Sequence, residues 1–123
     1  MSDLSITTRE VGGVDVLDLS GDIALGQTSA ELRDALKALV ADGKRQIVLN
    51  MADVRRLDSS GLGTLVAGFT SVERDGGKMK LSNLPERVIE LMAITKLHTV
   101  FDVFDSTDDA VSSFEGAVDA AGR

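Results

Sequence analysis

The run RQIVLN, at residues 45–50, constrains the fold of this chain more than any other stretch of its sequence. The run is short and continuous, and its apolar residues include the β-branched Ile47 and Val48. Runs of this kind are typical of β-strands that are covered on both faces. The sequence therefore predicts a strand here, in a sheet with helices packed on it.

Two strand patterns precede this run, and a helix pattern separates them from it. The segments LSITTRE and VDVLDLSG flank a pair of glycines, Gly12 and Gly13, and predict an antiparallel hairpin. The capping box TSAE, at residues 28–31, marks the start of a first helix, which ends at Gly43.

Strand and helix patterns continue to alternate after the run. The segment MADVRRLD predicts a loop, and apolar residues at helical spacing from Leu62 to Val72 predict a second helix that ends near residues 76–77. A strand MKLSNL, a third helix PERVIELMAITKL, a short strand TVFDVF and a closing helix capped by Ser106 or Thr107 follow. This order predicts an α/β fold with a mixed, mainly parallel sheet of about five strands and about four helices, entered by an N-terminal antiparallel hairpin.

Composition limits the classes of function. The length of 123 residues predicts a single domain, residues 1–123. The absence of cysteine excludes disulfides, thiolate metal sites and cysteine nucleophiles. A formal net charge of −7, with no Trp or Tyr, argues against nucleic-acid binding. No apolar run approaches the roughly 18 residues that span a bilayer, and the start, MSDLSITTRE, lacks a leader pattern. We therefore expect a cytoplasmic protein without direct membrane insertion.

The segment LDSSGLG, at residues 57–63, lies where the working sites of parallel sheets tend to lie, after the carboxyl end of a strand. Its serines lack the G-x-S-x-G pattern of a nucleophile elbow, because Leu57 and Asp58 stand two residues before them. The only histidine, His98, has no link in the sequence to either serine. We expect no catalytic residue, and the chain is predicted not to be an enzyme.

Cofactor and metal sites also fail on spacing. The glycines of LDSSGLG begin like a dinucleotide-binding G-x-G-x-x-G motif, but Val66 occupies the third glycine position. The aspartates of the C-terminal region do not follow the alternate-residue spacing of a calcium loop. They are Asp102, Asp105, Asp108 and Asp109. The sequence therefore predicts neither a cofactor nor a metal.

Two interpretations of the LDSSGLG motif remain open. One of Asp58, Ser59 and Ser60 can cap the second helix, which stabilises it by about 1 kcal/mol. Capping does not explain glycines at residues 61 and 63, which leave the backbone exposed and allow a partner to approach closely. The second interpretation is a modification site, because helix N-termini attract anions and a phosphate would bring a charge of about −1.5 to −2.

The run IVLNMADVRRLDSSGLGTLV resembles the signature of the STAS domain as found in bacterial anti-sigma factor antagonists. The resemblance extends upstream through GDIALGQTSAELRDAL and downstream to residue 114, so it covers nearly the whole chain. It implies a single STAS domain that acts by partner switching. In that family the unmodified protein binds an anti-sigma factor that is also a serine kinase, and it is released when the kinase phosphorylates it.

The resemblance places the phosphorylated serine at Ser59, and it implies a PP2C-type serine phosphatase as the second partner. We expect the partner to contact the surroundings of this serine, which are Asp22, Asp58, Ser60, Gly61, Leu62 and Gly63. Ala24 stands where many sporulation-type members carry an acidic residue near the phosphorylated serine. Because of this departure, a non-switching STAS scaffold or a subunit of a lipid-transport complex is the alternative function.

Two further surfaces have two interpretations each. Arg55 and Arg56 either steer an acidic partner or belong to a solvated loop. Met92, Ile94 and Leu97 either extend a docking face beside the second helix or belong to the core.

Overall fold

The glycine pair forms the predicted hairpin. The computed structural model describes residues 4–24 and 27–122, in which β1 (Leu4–Val11) pairs antiparallel with β2 (Val14–Ile23). Gly12 and Gly13 have φ values of 57° and 83°, the left-handed region that tight hairpin turns require. Residues 1–3, 25, 26 and 123 of the single predicted domain lie outside the described residues.

The remaining elements alternate between helix and strand. They are α1 (Gln27–Ala41), β3 (Gln46–Leu57), α2 (Ser59–Arg74), β4 (Lys78–Ser82), α3 (Glu86–Thr95), a 3₁₀ turn (Leu97–Thr99), β5 (Val103–Phe104) and α4 (Thr107–Gly122). The sheet has the order β1-β2-β3-β4-β5, and every pairing after the hairpin is parallel. The predicted mixed, mainly parallel sheet with four helices is therefore confirmed.

The loop predicted from MADVRRLD is wrong, because β3 continues through this segment to Leu57. The continuation pairs with the end of β2, and the register shifts at two places along that pairing. Met51 and Val54 are buried in the core, although their spacing of three residues is not that of a regular strand. Bulges of this kind break the alternation of apolar residues that identifies a strand in a sequence.

Two other boundaries differ from the predictions, and one predicted cap is confirmed. Only Val103–Phe104 of the segment TVFDVF pairs as a strand, because Thr99 ends the 3₁₀ turn and residues 100–101 form a turn and a bend. Helix α1 begins at Gln27, one residue before the predicted capping box. Of the two predicted caps for α4, Ser106 is correct, since its hydroxyl accepts the Asp109 N–H at 3.0 Å.

Helices cover both faces of the sheet. Apolar side chains of α1, α2 and α3 pack on one face in the larger core cluster, and side chains of α4 pack on the other face. Strand β3 contributes to both clusters, because Ile47 and Leu49 face the first and Val48 faces the second. All three side chains are fully buried, as predicted for a strand that is covered on both faces.

A chain of polar side chains connects the strands to the start of α4. The Arg9 Nε donates to Asp18 Oδ2 at 2.7 Å, and Asn50 Nδ2 donates to Asp18 Oδ1 at 2.7 Å. Asn83 Nδ2 then donates to Asn50 Oδ1 at 3.0 Å and to the Thr107 hydroxyl at 3.2 Å. The hydrogen bond from Arg9 lowers the pKa of Asp18, partial burial opposes this, and the hydrogen bond from Asn50 adds to the lowering.

This pKa shift predicts a pH-dependent stability. A carboxylate whose folded pKa lies below its unfolded value of about 3.9 stabilises the protein above that value and loses this effect as the pH falls. Asp18→Asn should therefore lower the free energy of unfolding by about 1 kcal/mol at pH 7, and the difference should be smaller at pH 3, because the pH then approaches the folded pKa of Asp18. Urea unfolding at the two pH values measures it.

The matched control is Asp34→Asn, because Asp34 is exposed on α1 and has no ion pair among the described residues. This variant should unfold like the unmodified chain at both pH values. Equal destabilisation by Asp18→Asn at pH 7 and pH 3 would contradict the assigned role of the charge.

Candidate functional site

The first turn of α2 is capped by Asp58. The residue has extended backbone angles, with φ −97° and ψ −176°, and its Oδ1 accepts the Gly61 N–H at 2.9 Å. Its own N–H donates to the carbonyl oxygen of Ile23, at the end of β2, at 3.3 Å. Among the three candidate caps that the sequence left open, the structure therefore selects Asp58.

Ser59 is the first residue of α2, and it is exposed. Its hydroxyl makes no hydrogen bond to any of the described residues, and Ser60 beside it is half-buried. The backbone N–H groups of both serines likewise have no partner within the described part of the chain. Because Asp58 already accepts the Gly61 N–H, the helix start presents one exposed hydroxyl and two N–H groups that bind none of the described residues.

The two glycines of the motif have different surroundings. Gly61 is buried, and a Cβ atom there would collide with the Ile23 carbonyl oxygen and lie 2.8 Å from Leu57 Cδ1. A Cβ atom on the exposed Gly63 would meet nothing within 4 Å. The expectation that both glycines leave the backbone open is right for Gly63 and wrong for Gly61, where the backbone of β2 occupies the space.

The end of β2 also holds the start of α1. The Thr28 hydroxyl accepts the Ala24 N–H at 3.0 Å, and the Ser29 hydroxyl donates to the Ala24 carbonyl oxygen at 2.6 Å. Ile23 and Ala24 thus bind the first turns of both α2 and α1 through backbone atoms. Sequence reasoning missed Ile23, because no side-chain pattern reports a contact that a carbonyl oxygen makes.

Charged side chains border the site on the two preceding strands. Arg55 and Arg56 are exposed, and they lie on β3 and not in a loop. Asp22 is half-buried on β2, where its backbone pairs with Arg56, and its Oδ1 lies 3.8 Å from Arg55 Nε. An ion pair this long and exposed contributes little to stability, so the arginines are available to another anion.

The remaining candidates lie apart from LDSSGLG. Met92 is buried and Leu97 half-buried, as in the core interpretation, whereas Ile94 is 79% exposed. His98 Nδ1 lies 3.3 Å from the Met92 carbonyl oxygen. Its ring lines a depression of about 300 Å³ together with side chains such as Phe101, and no residue of LDSSGLG lines it. The structure therefore does not bring His98 to Ser59 as a base.

Within residues 4–24 and 27–122, no cluster of three or more His, Asp or Glu side chains could hold a metal ion. Asp102, Asp105, Asp108 and Asp109 are exposed, and the last two lie in the first turn of α4, where they complement the helix dipole. The same residues contain no helix long and apolar enough to cross a membrane.

Comparison with known proteins matches residues 5–110 to the STAS domain. The chain is 34% identical over 95 residues to the anti-sigma-B factor antagonist of Bacillus subtilis. The aligned region covers 77% of this chain and 85% of the relative. It is 30% identical over 115 residues to the anti-sigma-F factor antagonist RsfB of Mycobacterium tuberculosis, which covers 92% of this chain and 91% of the relative.

A solved structure, the anti-sigma factor antagonist from Mycobacterium paratuberculosis, has a TM-score of 0.80 and 25% sequence identity to this chain. The superposition covers 89% of this chain and 92% of that one. The order of strands and helices, with a helix that starts at Ser59, is consistent with these similarities. The chain belongs to the STAS-domain family of anti-sigma factor antagonists.

Proposed function

We propose that this chain is a cytoplasmic anti-sigma factor antagonist that binds an anti-sigma factor serine kinase and is released when Ser59 is phosphorylated. The observation that carries the proposal is the exposed Ser59 hydroxyl, which lies at a helix start whose cap is supplied by Asp58. The curated relatives in Bacillus subtilis and Mycobacterium tuberculosis are named as antagonists of anti-sigma factors. In this role the chain is a substrate and a binding protein, not an enzyme.

The helix start can accept a phosphate without unfolding. The free N–H groups of Ser59 and Ser60 and the positive end of the α2 dipole favour an anion at this position. Arg55 and Arg56 add positive charge on the adjoining strand, while Asp22 and Asp58 oppose it. Because Ser59 is exposed, a phosphate on its hydroxyl displaces no apolar side chain from the site.

A partner docked over the same position cannot accept the phosphate. The group adds a charge of about −1.5 to −2, and burying it under a partner without a matching cation costs several kcal/mol. A loss of about 3 to 4 kcal/mol lowers the affinity by roughly a hundredfold to a thousandfold. Phosphorylation therefore separates the partners without a change in the fold of this chain.

The proposed contact surface consists of the exposed Ser59, Asp58 and Gly63 and the half-buried Ser60 and Asp22. Gly61 and Leu62 are buried, so they pack beneath this surface and contribute little area to the contact with the partner. Ala24 is half-buried against the start of α1, and Asp22 is the carboxylate that remains on this strand end.

The proposed function predicts a single site of modification. Incubation of the full chain with ATP and its cognate kinase should add one phosphate, which mass spectrometry should map to Ser59. Ser59→Ala should block the reaction, and the matched control Ser60→Ala should not. A PP2C-type phosphatase should remove the group.

Binding of the kinase, measured by titration calorimetry, should separate switching from the alternative function. Ser59→Ala should bind like the unmodified chain, and the phosphorylated chain should bind roughly a hundredfold to a thousandfold more weakly. If Ser59 stays unmodified and Ser59→Ala and Ser59→Asp bind equally well, the switch is wrong. A transporter ATPase as the bound partner would instead support a lipid-transport complex.

The second prediction uses the difference between the two glycines. Gly61→Ala should destabilise the fold by about 1 to 3 kcal/mol, because the added methyl group must displace α2 from the Ile23 carbonyl oxygen. Gly63→Ala should leave the fold unchanged or stabilise it by up to about 1 kcal/mol, since the position is open and helical. Urea unfolding of the two variants measures the contrast.

Kinase binding gives these variants a second readout. Gly63→Trp should remain folded and lose at least about tenfold in affinity, because the ring occupies the proposed contact surface. Unchanged affinity of a folded Gly63→Trp variant would contradict the placement of the partner, and equal stability of Gly61→Ala and Gly63→Ala would contradict the packing at Ile23.

A further inference from the structure

A groove lies between the C-terminal halves of α1 and α2. It consists of two adjoining depressions of about 190 and 300 Å³, which share Lys37, Val40 and Ser71 in their walls. The helices come close at Gly68, where a Cβ atom would lie 2.5 Å from the Leu36 side chain. Beside this contact the small side chains of α2 leave space, and an apolar floor remains open between the helices. We call this feature the α1–α2 groove.

The rim of the groove is basic, although the whole chain has a net charge of −7. Arg33, Lys37 and Arg74 line the two depressions, and among the described residues Asp75 is the only acidic one in their walls. The three cations are exposed, and none makes a hydrogen bond or an ion pair with any of the described residues. A concentration of unpaired positive charge around an apolar floor favours an occupant that is acidic and amphipathic.

We propose that the α1–α2 groove binds an acidic amphipathic helix of a protein partner, at a site separate from Ser59. The walls run over residues 33–41 and 67–75, and each covers about 12 Å at a rise of about 1.5 Å per residue. That length accommodates two turns of a helix, with apolar side chains at positions i, i+4 and i+7 on the floor. Carboxylates on the flanks of such a helix face the basic rim.

A membrane surface fits these observations less well than a helix does. Insertion into lipid requires protruding apolar side chains, but the exposed large apolar residues lie elsewhere, at Ile89, Ile94, Val100 and Val103. The apolar floor of the groove is recessed between two helices. Three cations attract an anionic lipid surface by only about 1 kcal/mol each.

The groove is far enough from Ser59 for the two sites to act independently. On α2 the walls of the groove run from Ala67 to Asp75, eight to sixteen residues beyond Ser59, which is about 12 to 24 Å along the helix axis. The screening length at physiological salt is about 8 Å. A phosphate on Ser59 therefore does not repel an acidic helix in the groove, and the chain can hold a second partner in either state of modification.

The test uses a fluorescein-labelled helical peptide of about 14 residues, with leucines at the i, i+4 and i+7 positions and glutamates on both flanks. A second peptide has lysines in place of the glutamates. Fluorescence anisotropy with the full chain should show that the acidic peptide binds at least about tenfold more tightly than the basic one. Amide shifts in NMR spectra should report the acidic peptide at Ala67 and Ser71.

Variants assign the binding to the groove. Lys37→Glu and Arg33→Glu should each weaken the binding of the acidic peptide at least about tenfold. Ala67→Phe should weaken it as much, because the ring fills the groove without a change in charge. The matched control Arg87→Glu makes the same charge change on the exposed face of α3 and should leave the affinity within about twofold. Ser59→Asp should also leave it unchanged.

Several results would overturn the proposal. These are equal affinities for the acidic and basic peptides, equal weakening by Arg87→Glu and Lys37→Glu, or amide shifts centred on Ile89 and Val103. Binding of phosphatidylglycerol vesicles that depends on Lys37, without binding of the acidic peptide, would assign the groove to lipid. If Ser59→Asp no longer binds the kinase but still binds the acidic peptide, this result would support the separation of the two sites.

Discussion

The carbonyl oxygen of Ile23 makes the contact on which the site depends. It accepts the N–H of Asp58, and it lies where a side chain at residue 61 would otherwise stand. This single backbone atom sets the distance between the end of β2 and the start of α2. Since Asp58 also caps the helix, the orientation of Ser59 follows from rigid elements and not from a mobile loop.

The length of β3 makes this contact possible. The strand runs for twelve residues, from Gln46 to Leu57, and its last part pairs with the end of β2 through two shifts in register. Without that extension, an unpaired segment would separate Ile23 from Asp58, the two residues whose backbones meet at the site. The burial of Met51 and Val54 keeps the extension on the core, so that a single residue, Asp58, separates the end of the strand from the start of the helix.

Local chemistry predicted the elements of this fold, whereas long-range contacts decided the details of the site. The left-handed turn at Gly12 and Gly13 and the buried centre of the run at residues 47–49 were readable from the sequence, because each depends on a few neighbouring residues. The extension of β3 was not, because its bulges remove the alternation of a strand. The buried position of Gly61 depends on Ile23, which lies on a different strand far earlier in the chain.

The cap resolves what the three adjacent polar residues of LDSSGLG do. Asp58 accepts the N–H of Gly61, so neither serine is needed to cap the helix, and among the described residues the hydroxyl of Ser59 has no hydrogen-bond partner. A serine that capped the helix would lose its hydrogen bond on modification, and phosphorylation would then alter stability as well as binding. With the cap on Asp58, the proposed phosphorylation of Ser59 would change the affinity for a partner by several kcal/mol while leaving the hydrogen bond of the cap in place.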